Sequence, residues 1–306
     1  MQRIKFLAVL IFLAAGAGLA TRGTPDPEVS LNSLIDLWSD TLRDTDQIGM
    51  KLTRVSDAEE MQIGAELARG MMGTEDPAAS AYVTKVAEPL LPHLRRRGIR
   101  YQFHVINSDQ VNAFAIPGGQ IFVMRGLLDF ADSEAELASV LGHEMSHVDL
   151  RHCIERYQYE SKLKKAGMPE AGGIVELAHR LATQGFSSQQ EAEADGQGER
   201  LSIESGYDPD AAVALFLRMK SRLGEPTRDQ QTTPAGEVLQ STGELVTAYF
   251  RTHPPSEERA KRLADMVARN HRDLAGRSFY VGKENLRERI ARANRAYPAE
   301  YRRIQP

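Results

Sequence analysis

Three of the eight histidines in this 306-residue chain fall in the twelve residues Leu141 to His152, LGHEMSHVDLRH. Residues four apart on a helix face the same way, with Cβ atoms about 5 to 6 Å apart, so the imidazoles of His143 and His147 can converge on one cation. Glu144 projects beside the pair and not between them, which suits a base that takes a proton from metal-activated water as it attacks a peptide carbonyl. Zinc would bring the pKa of such water to about 7. The pattern H-E-x-x-H arises by chance in about one chain of this size in a hundred, so a helix with ordinary hydrogen-bonded histidines is the competing explanation.

A catalytic zinc usually takes three protein ligands and keeps one position open, so a third donor is needed. The metzincin pattern would place glycine at 150 and histidine at 153, where this chain has Leu150 and Cys153. Another pattern draws a glutamate from a later helix with an aspartate four residues on, and Glu191-Ala192-Glu193-Ala194-Asp195 has that spacing. Glu191 is then the third ligand. Asp195, one turn further on the same face, can accept a hydrogen bond from the far nitrogen of a ligand histidine. Glu193 is out of phase with both and is expected at the surface. His152 would lie about 140° around a continuous helix from His147, which predicts a structural role.

The surrounding elements must hold these groups. Ser56 to Glu59 is a capping-box start for a helix running to about Met72, and a second helix is predicted over 79–94, ended or kinked by Pro89. The Arg95-Arg96-Arg97 run reads as a solvated helix end. Tyr101 to Asn107 has strand composition, and Pro117-Gly118-Gly119 is turn chemistry between strand-like segments 111–116 and 120–124. Ser133 to Glu136 is another capping box, followed by an apolar stripe of Leu137, Val140, Leu141 and Val148 that places the HExxH motif on a helix. KKAGMPEAGG breaks the pattern, and a helix resumes through EAEAD to the turn at Gly206-Tyr207-Asp208-Pro209. DAAVALFLRMKSRL is a further amphipathic helix, and 224–236 is a polar loop.

The composition, 42% hydrophobic and 26% charged, is that of a globular protein. Arg3 and Lys5 precede the apolar run FLAVLIFLAAGAGLA, the outline of a secretory signal, with cleavage expected near Ala17 or Ala20. No lipid-bearing cysteine follows that run, and the single Cys153 allows no internal disulfide. The formal charge of −4 becomes 36 minus 42, or −6, without Arg3 and Lys5. Overall acidity argues against nucleic acid as a partner. From Arg272 onward nine Arg or Lys stand against four Asp or Glu. That basic stretch is expected to be a solvated helix, with peripheral contact to anionic lipid as the alternative. The expected division is a signal (1–20), a lead with a short helix (21–55), a main domain (56–270) that carries the HExxH motif, and a basic extension (271–306).

Together NAFAIPGGQIFVMRGLL, LGHEMSHVDLRH, EAEAD, GYDP and THPPSEERAKRL resemble the zinc metallopeptidases of the HtpX and prenyl-CAAX endopeptidase type (family M48), most closely their soluble periplasmic branch of BepA- and LoiP-like proteins. The resemblance runs from about Ser56 to Asn270. It implies a mainly helical α+β, zincin-like (gluzincin) fold with a small sheet beside the HExxH helix. It also implies that one zinc is held by His143, His147 and Glu191, with Glu144 as base and acid and Asp195 behind the ligands. His253, in Thr252-His253-Pro254, matches a family histidine near the metal and would stabilise an oxyanion or cap the zinc at rest. The segment holding Asn112, Ala113, Phe114, Gly118 and Gly119 resembles the edge strand on which such peptidases bind an extended substrate. No long membrane helix or tetratricopeptide array is apparent in the sequence. The expected function is an exported, periplasmic endopeptidase acting on unfolded or misassembled envelope proteins. A metal-binding chaperone that holds clients without cutting is the alternative, and a protease kept latent by its own His253 segment is a third reading.

Overall fold

The computed structural model describes residues 55–71, 73–165, 185–223 and 256–306, together with Leu177, Leu181 and His253. The apolar run, the lead, Met72, most of the KKAGMPEAGG break, His179 and the 224–236 loop lie outside these residues. Ser56 caps α1 (Asp57–Arg69) with the predicted box: its hydroxyl accepts from the Glu59 N–H, and the Glu59 carboxylate accepts from the Ser56 N–H. Asp76 caps α2 (Pro77–Ala87), which passes into a 3-10 turn, Glu88–His93, instead of continuing as α-helix to Leu94. Pro89 and Pro92 lack the N–H groups that the longer helix would need.

Next come β1 (Gln102–Ile106), β2 (Ala113–Ile116) and β3 (Gln120–Met124), a three-stranded sheet in the order β1-β3-β2. β1 runs parallel to β3, and β2 pairs antiparallel with β3, Ile116 opposite Gln120. Pro117-Gly118-Gly119 makes the predicted turn, with Gly118 and Gly119 at φ 77° and 82°, a region costly for any residue with a Cβ. Gly118 backs onto α1, where a methyl group would lie 2.6 Å from the Glu60 carbonyl oxygen. Arg96 corrects the expectation of a solvated arginine run. Its guanidinium is largely buried between Asp57 (2.7 Å) and Glu60 (2.5 Å), and Glu60 in turn accepts from the Gly118 N–H at 3.2 Å.

After α3 (Arg125–Phe130), Ser133 caps α4 (Glu134–Asp149), the HExxH helix. The box is only half formed, because Glu136 accepts from the Asp132 N–H and pairs with Arg218. All sixteen residues of α4 are buried, so the apolar stripe understated its enclosure. Around it pack β2, α5 (His152–Lys165), α6 (Ser188–Glu204) and α7 (Ala211–Leu223), while α8 (Ser256–Arg269) lies on α6 and α7. α4 and α6 meet at paired glycines. A methyl on Gly198 would lie 2.7 Å from the His143 nitrogen, and one on Gly142 2.8 Å from the Gly198 oxygen.

The basic C-terminal stretch is not one solvated helix. It forms α9 (His271–Leu274), β4 (Ser278–Tyr280), α10 (Lys283–Glu288) and β5 (Tyr301–Arg303), with β4 and β5 antiparallel. Leu274, Phe279 and Ile304 form a small core beside Ile203 and Val267, while Leu286 and Ala291 join the main core. The Gly282 and Val281 carbonyls accept from the Glu134 and Ala135 N–H groups at the start of α4. Among the described residues no helix is long and apolar enough to cross a membrane.

Candidate active site

One turn of α4 brings the Nε2 atoms of His143 and His147 to 3.1 Å from each other. The close crossing at Gly142 and Gly198 carries Glu191 in from the first turn of α6. Its Oε2 lies 3.5 Å from His143 Nε2 and its Oε1 3.4 Å from His147 Nε2. His253 adds Nδ1 at 3.1 Å from Glu191 Oε2. One ligand atom from each of the four residues lies within 4.8 Å of the others, and all four side chains are buried. Around tetrahedral zinc with bonds of about 2.0 to 2.1 Å, neighbouring donors stand roughly 3.3 Å apart. The separation between the two histidine nitrogens and the distance from each to a Glu191 oxygen, Oε2 for His143 and Oε1 for His147, bracket that value, and imidazole with carboxylate is a donor set that suits zinc.

A second layer holds the donors. Asp195 Oδ1 is 3.0 Å from His143 Nδ1, so a proton on Nδ1 leaves the Nε2 lone pair facing the cluster. Arg259 grips Asp195 through Nη2 (2.7 Å) and Nε (3.1 Å), and its guanidinium lies 4.3 Å from the centre of the Phe216 ring. Phe186 stacks on the His147 ring with centroids 3.8 Å apart. His152 is also here, its Nδ1 3.0 Å from His147 Nδ1. α4 stops at Asp149, before His152, so the 140° projection fails.

The electrostatics divide the acids by role. Burial pushes Glu144 up to about 7, with Glu191 reinforcing the shift and His253, Arg259 and the Ala115 N–H opposing it. Glu144 Oε1 stands 3.6 Å from His253 Nε2. Burial, with Arg259 nearby, drives His143 down to about 3, and burial lowers His147 as well, so both rings are neutral donors. Burial would raise Glu191, but the charge of His253, the close approach of His147 and a hydrogen bond from His253 hold it well below the usual carboxylate range. Burial likewise opposes protonation of His253, and Glu191 outweighs it.

His143, Glu144, His147, Glu191, Asp195 and His253 thus converge, whereas Gly118 and Gly119 turn away, packed against α1 and Arg100. Asn112, Ala113 and Phe114 lie on or beside β2, which edges the sheet next to α4. Arg259 and Phe186 were not singled out in the sequence. Arg259 lies inside the family-like stretch THPPSEERAKRL without a role that spacing could give it, and nothing marked Phe186.

Paired histidines and a glutamate from a second helix, beside a small mixed sheet, define a zincin-type metallopeptidase centre. Residues 77–267, more than half of the chain, match Peptidase family M48, and the chain belongs to that family. It is 34% identical to the beta-barrel assembly-enhancing protease of Escherichia coli (strain K12) over 258 residues, covering 75% of this chain and 48% of that protein. It is 29% identical to the mitochondrial metalloendopeptidase OMA1 of Schizosaccharomyces pombe over 193 residues (61% of this chain, 52% of that one). Its identity to the metalloprotease LoiP of Escherichia coli (strain K12) is also 29%, over 206 residues (63% and 73%). The chain therefore spans about half the length of the first of these relatives.

Proposed function

We propose that this protein is an exported zinc endopeptidase that hydrolyses unfolded or misassembled envelope polypeptides in the periplasm. His143, His147 and Glu191 would hold the metal, and Asp195 supports His143. Bound zinc supplies Lewis acidity that polarises a carbonyl and activates water. Glu144 takes a proton from the attacking water and passes it to the leaving amine, a task matched to a carboxyl that titrates near neutrality. The observation that carries this reading is the Glu144 carboxylate, buried and set directly beside the donor cluster. A protein that only held its clients would need no such base.

The outer edge of β2 suits an extended substrate. By alternation Ala113 and Ala115 turn main-chain groups away from β3, and since the Ala115 carbonyl accepts from the Cys153 thiol at 3.7 Å, a substrate strand would pair with this edge at Ala113. Asn112 and Phe114 flank this edge, and Gly118 and Gly119 shape the turn behind it. The signal-like N-terminus and the relative named for beta-barrel assembly support an envelope client.

The purified chain is expected to cleave unfolded casein, with loss on chelation and a fall of about 10²- to 10⁴-fold in Glu144→Gln. Cleavage that survives in Glu144→Gln rejects the mechanism, and casein binding without cleavage by wild type favours the chaperone. His253, placed among the donors, supports the latent form, in which it completes the metal's coordination at rest. His253→Ala then raises casein turnover. A fall in turnover at unchanged zinc affinity assigns it to the transition state instead, and no change in either rejects both roles.

A further inference from the structure

α4 ends at Asp149, and Arg151 then takes φ 71°, a left-handed conformation uncommon for a residue with a side chain. Its guanidinium is anchored on the Val55 carbonyl at 2.8 Å. This reversal swings His152, the first residue of α5, back onto His147. The two buried rings meet at 65° with Nδ1 atoms 3.0 Å apart. On its far side His152 Nε2 lies 3.2 Å from Glu193 Oε2, and the other oxygen of Glu193 accepts from Gln189 Nε2 at 2.9 Å.

The direction of each hydrogen bond follows from the chemistry. A carboxylate only accepts, so the proton facing Glu193 belongs to His152 Nε2. In a neutral imidazole the other nitrogen is then an acceptor, so the proton between the two Nδ1 atoms belongs to His147. His147 Nε2 is left with a lone pair directed at Glu191 and His143. We propose that His152 and Glu193 are positioning residues that fix the tautomer and ring orientation of His147, the counterpart of what Asp195 provides for His143. The inference rests on the reading of His147 as a metal ligand. Each ligand histidine thus has a carboxylate behind it, Asp195 directly and Glu193 through one ring.

The test is zinc affinity, measured by competition with a chromophoric chelator, together with the ¹⁵N shifts of His147 in the zinc-free protein. His152→Asn keeps an acceptor where Nδ1 stands, and His152→Leu does not. Half-exposed Glu193 allows Glu193→Ala without disturbing the core. His152→Leu and Glu193→Ala are expected to bind zinc about 10- to 100-fold more weakly, with loss of the pure Nδ1–H tautomer at His147. His152→Asn and Glu193→Gln are expected to keep wild-type affinity. Equal weakening by His152→Asn and His152→Leu overturns the proposal in favour of packing, as does unchanged affinity in both His152→Leu and Glu193→Ala. His147→Ala separates the underlying assumption: if it binds zinc like wild type, the ligand assignment fails and not the relay alone.

Discussion

Glu191, Asp195 and Glu199 follow one another at intervals of four on α6, and all three are buried, yet only the first two face a cation or the donor cluster. Burial, with Asp210, Asp208 and Asp195 nearby, pushes Glu199 well above the usual range, and its Oε1 has no hydrogen-bond partner among the described residues. A carboxyl whose pKa is raised in the folded state contributes stability that is fully present below its unfolded pKa of about 4.5 and is lost as pH rises through the folded value. Glu199→Gln keeps the shape and stays neutral. Its melting temperature is expected to exceed wild type at pH 8 and to approach it at pH 5, and a gap independent of pH would reject a neutral Glu199. The pairs His143 with His147 and Glu191 with Asp195 were legible because helical spacing is local: residues four apart share a face wherever the helix sits. Glu199 has the same spacing, but its lack of a counter-ion is a tertiary fact. Arg259 reaches Asp195 across 64 positions, and His152 returns to His147 only through the turn at Arg151.

At the scale of elements, the site depends on how closely α4 and α6 approach. Gly198→Ala forces a methyl group toward the His143 backbone, a conflict with main chain that no side-chain rotation relieves. We expect a loss of about 1 to 3 kcal/mol. Zinc affinity is expected to fall as well, since the same displacement withdraws Glu191, and normal affinity in a destabilised protein would separate the two effects. Gly196 on the same helix is the internal control, because a methyl there meets nothing within 4 Å. Gly196→Ala is expected to stabilise by about 0.5 to 1 kcal/mol through lower unfolded-state entropy, raising the melting temperature by a few degrees. The caps at Ser56 and Ser133 and the end of α2 before Pro89 were readable, since caps and prolines act within one turn. Which mid-helix glycine seats a neighbour was not, because both look alike in sequence.

Across the whole molecule, the C-terminal stretch clasps the start of α4. The Arg292 N–H donates to Glu134 at 3.1 Å, and its guanidinium bonds the Ser205 carbonyl at 2.8 Å and lies 4.2 Å from the centre of the Tyr207 ring. Arg302 pairs with Asp208 and Asp210, and Arg289 with Asp129, so charge that suggested a lipid-binding arm is partly neutralised within the fold. Arg292→Ala is expected to cost about 2 kcal/mol in urea unfolding, and a change below about 0.5 kcal/mol would show that the clasp is incidental. The contact between Glu134 and Arg292 spans 158 positions. During synthesis, the helix bearing the paired histidines therefore stays without its fastening until residues near 290 have left the ribosome.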